Sequence, residues 1–102
     1  MKLEEHPFIE SISPERLDSI LDEIETLELS PGTTIFEERS DPDALFLVLK
    51  GQVAFIKNKN DGSQQVVSES AAGSFFGEVG VFTGEKRALG AIAKEEARVA
   101  RV

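Results

Sequence analysis

At 102 residues the chain is long enough for one domain with a modest core and too short for two. Hydrophobic residues make up 40% and charged residues 29%, a globular balance rather than a disordered one. The formal charge of −8 is concentrated in residues 1–50, where 13 acidic side chains stand against 4 basic ones, while residues 51–102 carry 6 and 7; an acidic half of this kind repels polymeric nucleic acid and anionic membranes.

The first elements are helical. Residues 1–6 lack the apolar run of a secretory signal, so the cytoplasm is the expected compartment. The single histidine, His6, is expected to be solvated near a frayed terminus. Phe8, Ile9 and Ile12 predict a short helical segment docked on the core. Ser13-Pro14 is a helix start, with Ser as N-cap and Pro in the first turn. Leu17, Ile20, Leu21 and Ile24 then recur at helical spacing and predict one buried face, with Asp18, Asp22, Glu23 and Glu25 largely opposite. The helical part is expected to span residues 1–28.

From residue 29 the pattern becomes β. Ser30-Pro31-Gly32-Thr33 has the residues of a type II turn. Strand-like runs follow at Thr34–Glu38, Leu45–Lys50, Gln52–Asn58 and Gln64–Glu69. Asp41-Pro42-Asp43, Lys50-Gly51 and Asn60-Asp61-Gly62 divide them, the last being a hairpin signal. Two further runs, Ala88–Ala93 and Ala97–Val102, flank Lys94-Glu95-Glu96. The longest apolar run, Leu45–Leu49, is too short to cross a bilayer. The expected architecture is a mainly β domain: an antiparallel β-roll or jelly-roll barrel with N-terminal helices and one short inserted helix. Phe36, Phe46, Phe55 and Phe82 are expected in its core, and Val66 and Val67 either in the core or along a ligand wall.

The inserted helix lies in the most informative stretch, Phe75 to Ala88. Gly77 permits a tight turn. Val79, Val81 and Phe82 fit one helical turn, whose first N–H groups lack partners within the helix and suit a phosphate. Glu78 supplies an acceptor for a hydroxyl. Arg87 returns nine residues later with a planar fork that matches phosphate oxygens. An acceptor, a cation and free amides describe a site for a singly charged nucleotide. Other chemistry is poorly served. The chain has no cysteine, which removes disulfides and thiolate sites, and its lone histidine gives no metal-binding pair. Glu37-Glu38 and Glu95-Glu96 are adjacent, so on a strand each pair points to opposite faces. No nucleophile–base pair is evident, and an enzyme is not expected.

These motifs resemble the cyclic nucleotide-binding domain, the sensor module of cAMP-dependent kinase regulatory subunits, catabolite activator proteins and cyclic nucleotide-gated channels. Phe76-Gly77-Glu78 through Arg87-Ala88 is similar to that family's phosphate-binding cassette. Leu45 to Val53 matches its second and third strands, and Ala72-Gly73-Ser74-Phe75-Phe76 the approach to the cassette. The resemblance implies that Glu78 and the Gly77 amide bind the ribose 2′-hydroxyl. It implies that Arg87, with the amides of Gly80 and Ala88, binds the cyclic phosphate. Gly77, Glu78, Val79, Gly80, Arg87 and Ala88 are therefore the candidate ligand-binding residues. Ala88, where members selecting cGMP often carry Thr, leans towards cAMP, with cGMP the alternative. No further cofactor is implied. Leu89, Gly90 and Lys86 depart from the family pattern. The hinge and lid helices that follow the last strand in the family are not found before Val102, so an output domain in a larger protein is expected. The alternative is a scaffold that kept the fold, lost the ligand and docks partners through its acidic helix.

Overall fold

Strand β3, Phe46–Lys50, explains how the molecule is layered. Its first four residues are all buried, although a strand turns alternate side chains to opposite faces. Both of its faces must therefore be covered. Phe46 and Val48 join Ala44, Val53, Phe76, Ala91 and Val99 in one apolar cluster. Leu47 and Leu49 join Ile9, Leu45 and Ala100 in a second. The first cluster lies between two sheets, and the second lies beneath the N-terminal helices. The computed structural model describes all residues, Met1 to Val102.

The chain opens with a single 3-10 turn, Leu3–Glu5, and two helices, α1 (Pro7–Glu10) and α2 (Pro14–Glu23). Strands β1 (Glu25–Leu29) and β2 (Thr34–Phe36) precede β3, and β4 (Gln52–Asn58), β5 (Gln64–Ala71) and the two-residue β6 (Phe75–Phe76) follow it. Helix α3 (Glu78–Thr83) is inserted before β7 (Gly90–Ala93) and β8 (Ala97–Arg101). One sheet has the order β1-β8-β3-β6 and the other β2-β7-β4-β5, with every pairing antiparallel. The expected β-roll is present as two separate four-stranded sheets; they do not close into a barrel. No helix is long and apolar enough to cross a membrane.

The turn signals behave as expected. The Thr33 N–H donates to the Ser30 carbonyl at 3.1 Å, with Gly32 at φ +84°. In the β4–β5 hairpin, Asp61 Oδ1 accepts from the Ser63 N–H at 2.9 Å and from its hydroxyl at 2.6 Å. Pro14 opens α2, but the Ser13 side chain makes no capping bond.

Other expectations are corrected. The helical stretch ends at Glu23, and residues 25–29 are strand, paired with β8 from Glu25↔Arg101 to Leu29↔Ala97. Leu27 and Leu29 have the alternation of a strand, with exposed Thr26 and Glu28 on the other face, a pattern too short to stand out among the acidic residues. The α2 face is shallower than its spacing suggests: Leu17, Ile20, Leu21 and Ile24 are half-buried. Phe82 is not core but 78% exposed, because the short α3 turns its apolar residues outward. Val66 and Val67 are exposed on β5, beside a register break between Phe55 and Ile56.

His6 is also reversed. It is fully buried, and its ring joins two segments far apart in sequence. Nε2 lies 2.9 Å from the Ser74 carbonyl, which can only accept, so this nitrogen carries the proton. Nδ1 then accepts from the Phe8 N–H at 3.1 Å and caps α1.

Candidate functional site

The six candidate residues converge. Gly77, Glu78, Val79, Gly80, Arg87 and Ala88 all line one open cavity of about 290 Å³, together with Phe36, Phe55, Phe75, Phe76, Glu85, Lys86 and Leu89. β6 and α3 form one side, and the segment leading into β7 returns across it.

Two glycines set the local path. Gly77 caps α3 in the left-handed region, at φ +84°. A Cβ there would also sit 2.8 Å from Arg87 Nη1, so conformation and space both require glycine. Gly80 is buried where α3 meets the β2–β3 connection. A Cβ on it would lie 2.5 Å from the Pro42 ring and 2.9 Å from the Glu85 carbonyl. The helix ends at Gly84, whose N–H donates to the Gly80 carbonyl at 2.7 Å. Thr83 Oγ1 donates to the Val79 carbonyl at 2.8 Å and accepts from the Glu85 N–H at 3.2 Å, which closes the turn towards Arg87. Glu78 is the first residue of the helix and is half-buried at the cavity wall.

Arg87 is the centre of the site. It is 5% exposed, and its guanidinium carbon lies 4.3 Å above the Phe36 ring. Nη1 donates to the Gly77 carbonyl and Nη2 to the Ala44 carbonyl. Nε is buried with no partner. None of the six ion pairs in the molecule includes Arg87. Burial lowers its pKa from the usual value, while the charges of Asp43 and Glu78 act in the opposite direction. An arginine nevertheless stays protonated, so the cavity wall holds a cation without a paired anion. Lys86 is different: it is exposed, and its Nζ is 3.0 Å from Asp41.

The cavity also has an aromatic wall that no motif in the sequence announces. Phe36 and Phe55 were assigned to the core, and each does pack against the core cluster, yet each also lines the cavity. Phe55 meets Phe76 edge-on at 5.1 Å, and Phe36 stands 6.0 Å from the same ring. Half-burial of an aromatic residue beside a glycine-rich turn leaves no separate signal in sequence. Val66 and Val67 are not part of the lining.

The structure is a two-sheet antiparallel roll with a short helix inserted beside a buried arginine that makes no ion pair. The comparisons place it. The cyclic nucleotide-binding domain family matches residues 26–102, and the chain belongs to that family. The cAMP-dependent protein kinase regulatory subunit of Aspergillus fumigatus is 32% identical over 100 residues, covering 98% of this chain and 24% of that protein. The chain therefore spans about a quarter of the length of that relative. Among solved structures, a mutant regulatory subunit of a cAMP-independent protein kinase A from Trypanosoma brucei, bound to cAMP, superposes with a TM-score of 0.84. It is 22% identical, over 98% of this chain and 37% of that one. The catabolite activator protein of Thermus thermophilus gives 0.76 at 24% identity, over 94% of this chain and 45% of that one. At such identities these structures speak for the fold.

Proposed function

We propose that the domain binds a cyclic nucleotide, cAMP in preference to cGMP, and acts as a regulatory sensor within a larger protein without chemistry of its own. The observation that carries this reading is Arg87, a buried cation at the wall of an aromatic-lined cavity, with no carboxylate partner and one orphaned N–H. A cyclic phosphate supplies the missing negative charge. Glu78 then takes the ribose hydroxyl with the Gly77 amide, the amides of Gly80 and Ala88 add to the phosphate site, and Val79 closes the wall. The base has Phe36 and Phe55 available for apolar contact. Relatives named as cAMP-dependent kinase regulatory subunits support both the ligand and the regulatory role. In the parent protein, ligand binding would bias the cassette between two arrangements that an output domain reads.

Calorimetric titration tests this. A hydrogen bond to a charged group contributes about 1.5–3 kcal/mol, so Arg87→Ala is expected to weaken cAMP binding by roughly ten- to a few-hundred-fold. Ala88→Thr is expected to raise the relative affinity for cGMP. Equal affinity in wild type and Arg87→Ala would overturn the assignment. A second reading, a scaffold that has lost its ligand, is favoured by one observation: both Nη groups already have carbonyl partners. Absence of binding to either nucleotide would select it.

A further inference from the structure

The buried histidine is not used by the proposed ligand site, yet it touches the main chain that leads into it. Its Nε2–H donates to the Ser74 carbonyl, three residues before Gly77. The same carbonyl accepts from the Val48 N–H at 2.9 Å, so two donors fix one peptide group. One comes from the rigid centre of the first sheet and the other from the N-terminal segment. Neighbouring contacts run parallel to it. The Phe8 ring lies 6.2 Å from that of Phe75, which lines the cavity. The terminal amino group of Met1 donates to the Leu49 carbonyl at 2.6 Å. The N-terminal segment is thus fastened to β3 at Leu49 and to the main chain entering the cassette at Ser74 and Phe75.

We propose that His6 is a positioning residue for the nucleotide pocket: by holding the Ser74 carbonyl it sets the path of Phe75-Phe76-Gly77 and so the placement of the α3 amides and Glu78. The physical argument is one of leverage. β6 has only two residues, paired with β3 through Phe46↔Phe76 and Leu47↔Phe75, and Val48 extends that short ladder by bonds to the Gly73 N–H and the Ser74 carbonyl, the second of which the imidazole shares. The imidazole adds a constraint at the residue just before that ladder begins. Because Nδ1 is occupied by the Phe8 N–H, the ring cannot rotate without uncapping α1. The effect on ligand rests on the proposed nucleotide reading; the effect on the main chain does not.

Two substitutions separate the roles of the ring. His6→Asn keeps a short acceptor suited to capping α1 but cannot reach Ser74. His6→Gln places an N–H₂ at about the reach of Nε2 and restores the donor. The first measurement is residue-resolved amide hydrogen exchange on ligand-free protein. His6→Asn is expected to speed exchange of Phe76 and the α3 amides by about ten-fold, the factor given by a net loss of roughly 1.4 kcal/mol on breaking one bond, with the amides of Ala54 and Val99 little changed. His6→Gln is expected to stay near wild type. Equal acceleration throughout the domain would mean a purely structural histidine and would overturn the proposal, as would unchanged exchange in the cassette. The second measurement is cAMP titration of the same three proteins. Weakened binding in His6→Asn, recovered in His6→Gln, carries the inference to the ligand. Wild type that fails to bind cAMP defeats the nucleotide reading alone, since the exchange data decide the positioning role independently.

Discussion

A single torsion and a single carboxylate show how much individual residues control. Gly77 sits at φ +84° with a guanidinium nitrogen where its Cβ would be. Gly77→Ala is expected to cost about 1–2 kcal/mol for the left-handed conformation alone. Displacement of Arg87 adds to that, and urea denaturation measures the sum. The same variant should lose affinity for cAMP, whereas Gly32→Ala, at a distant turn with open space around it, should alter stability without altering affinity. Glu38 gives a pH signature. Its side chain is 8% exposed, accepts from the Asn58 N–H at 2.9 Å and pairs with Lys57 at 3.1 Å. The bond from the Asn58 amide, and then that from Lys57, lower its pKa from 4.5. The folded protein therefore binds this proton less tightly than the unfolded chain does. The stabilisation is complete above pH 4.5 and disappears as the pH falls through the lower folded value. Glu38→Gln should flatten the acid limb of a stability–pH curve in that window, and an unchanged limb would show that the carboxylate is not so held.

Among the elements, β3 bears the most and β5 the least. Leu47 is fully buried under the N-terminal helices, and Leu47→Ala is expected to cost about 2–5 kcal/mol in chemical denaturation. On β5 nearly every side chain is exposed, so Val66→Thr should change stability by less than about 0.5 kcal/mol. This contrast also marks what the sequence could convey. Phe46 to Leu49 is an unbroken apolar run followed by Lys50-Gly51, which is why a strand was readable there; that both of its faces are covered emerged only from the structure. That Gly77, Glu78 and Arg87 would come together was readable from their residue types and spacing, and they do line one cavity. β1 was missed because Glu25 and Glu28 obscured its short alternation, and β6 because two residues make no pattern. Phe82 was misplaced because a helix as short as α3 turns its apolar residues outward, and His6 because its burial depends on a partner remote in sequence. Ser74 is 68 positions from His6.

For the whole molecule, ligand binding and folding are linked. A ligand at a hundred times its Kd adds about 2.7 kcal/mol to the stability of the folded state. In a domain of this length that is a rise of roughly 10 °C or more in Tm. The rise should be present with cAMP and, at the same ligand concentration, fall to about half or less in Arg87→Ala.

Shape has a consequence of its own. The molecule measures 50 × 29 × 17 Å, and its radius of gyration is 14.0 Å, against about 13 Å expected for a compact domain of this length. Such a body meets more friction than a sphere of equal mass and tumbles at different rates about its long and short axes. On a sizing column a monomer will elute slightly early for its mass, so stoichiometry is best read from light scattering. In solution, amide relaxation must be fitted to an elongated rotor. Treated as a sphere, the molecule would seem to have mobile segments wherever bond vectors merely lie across its length.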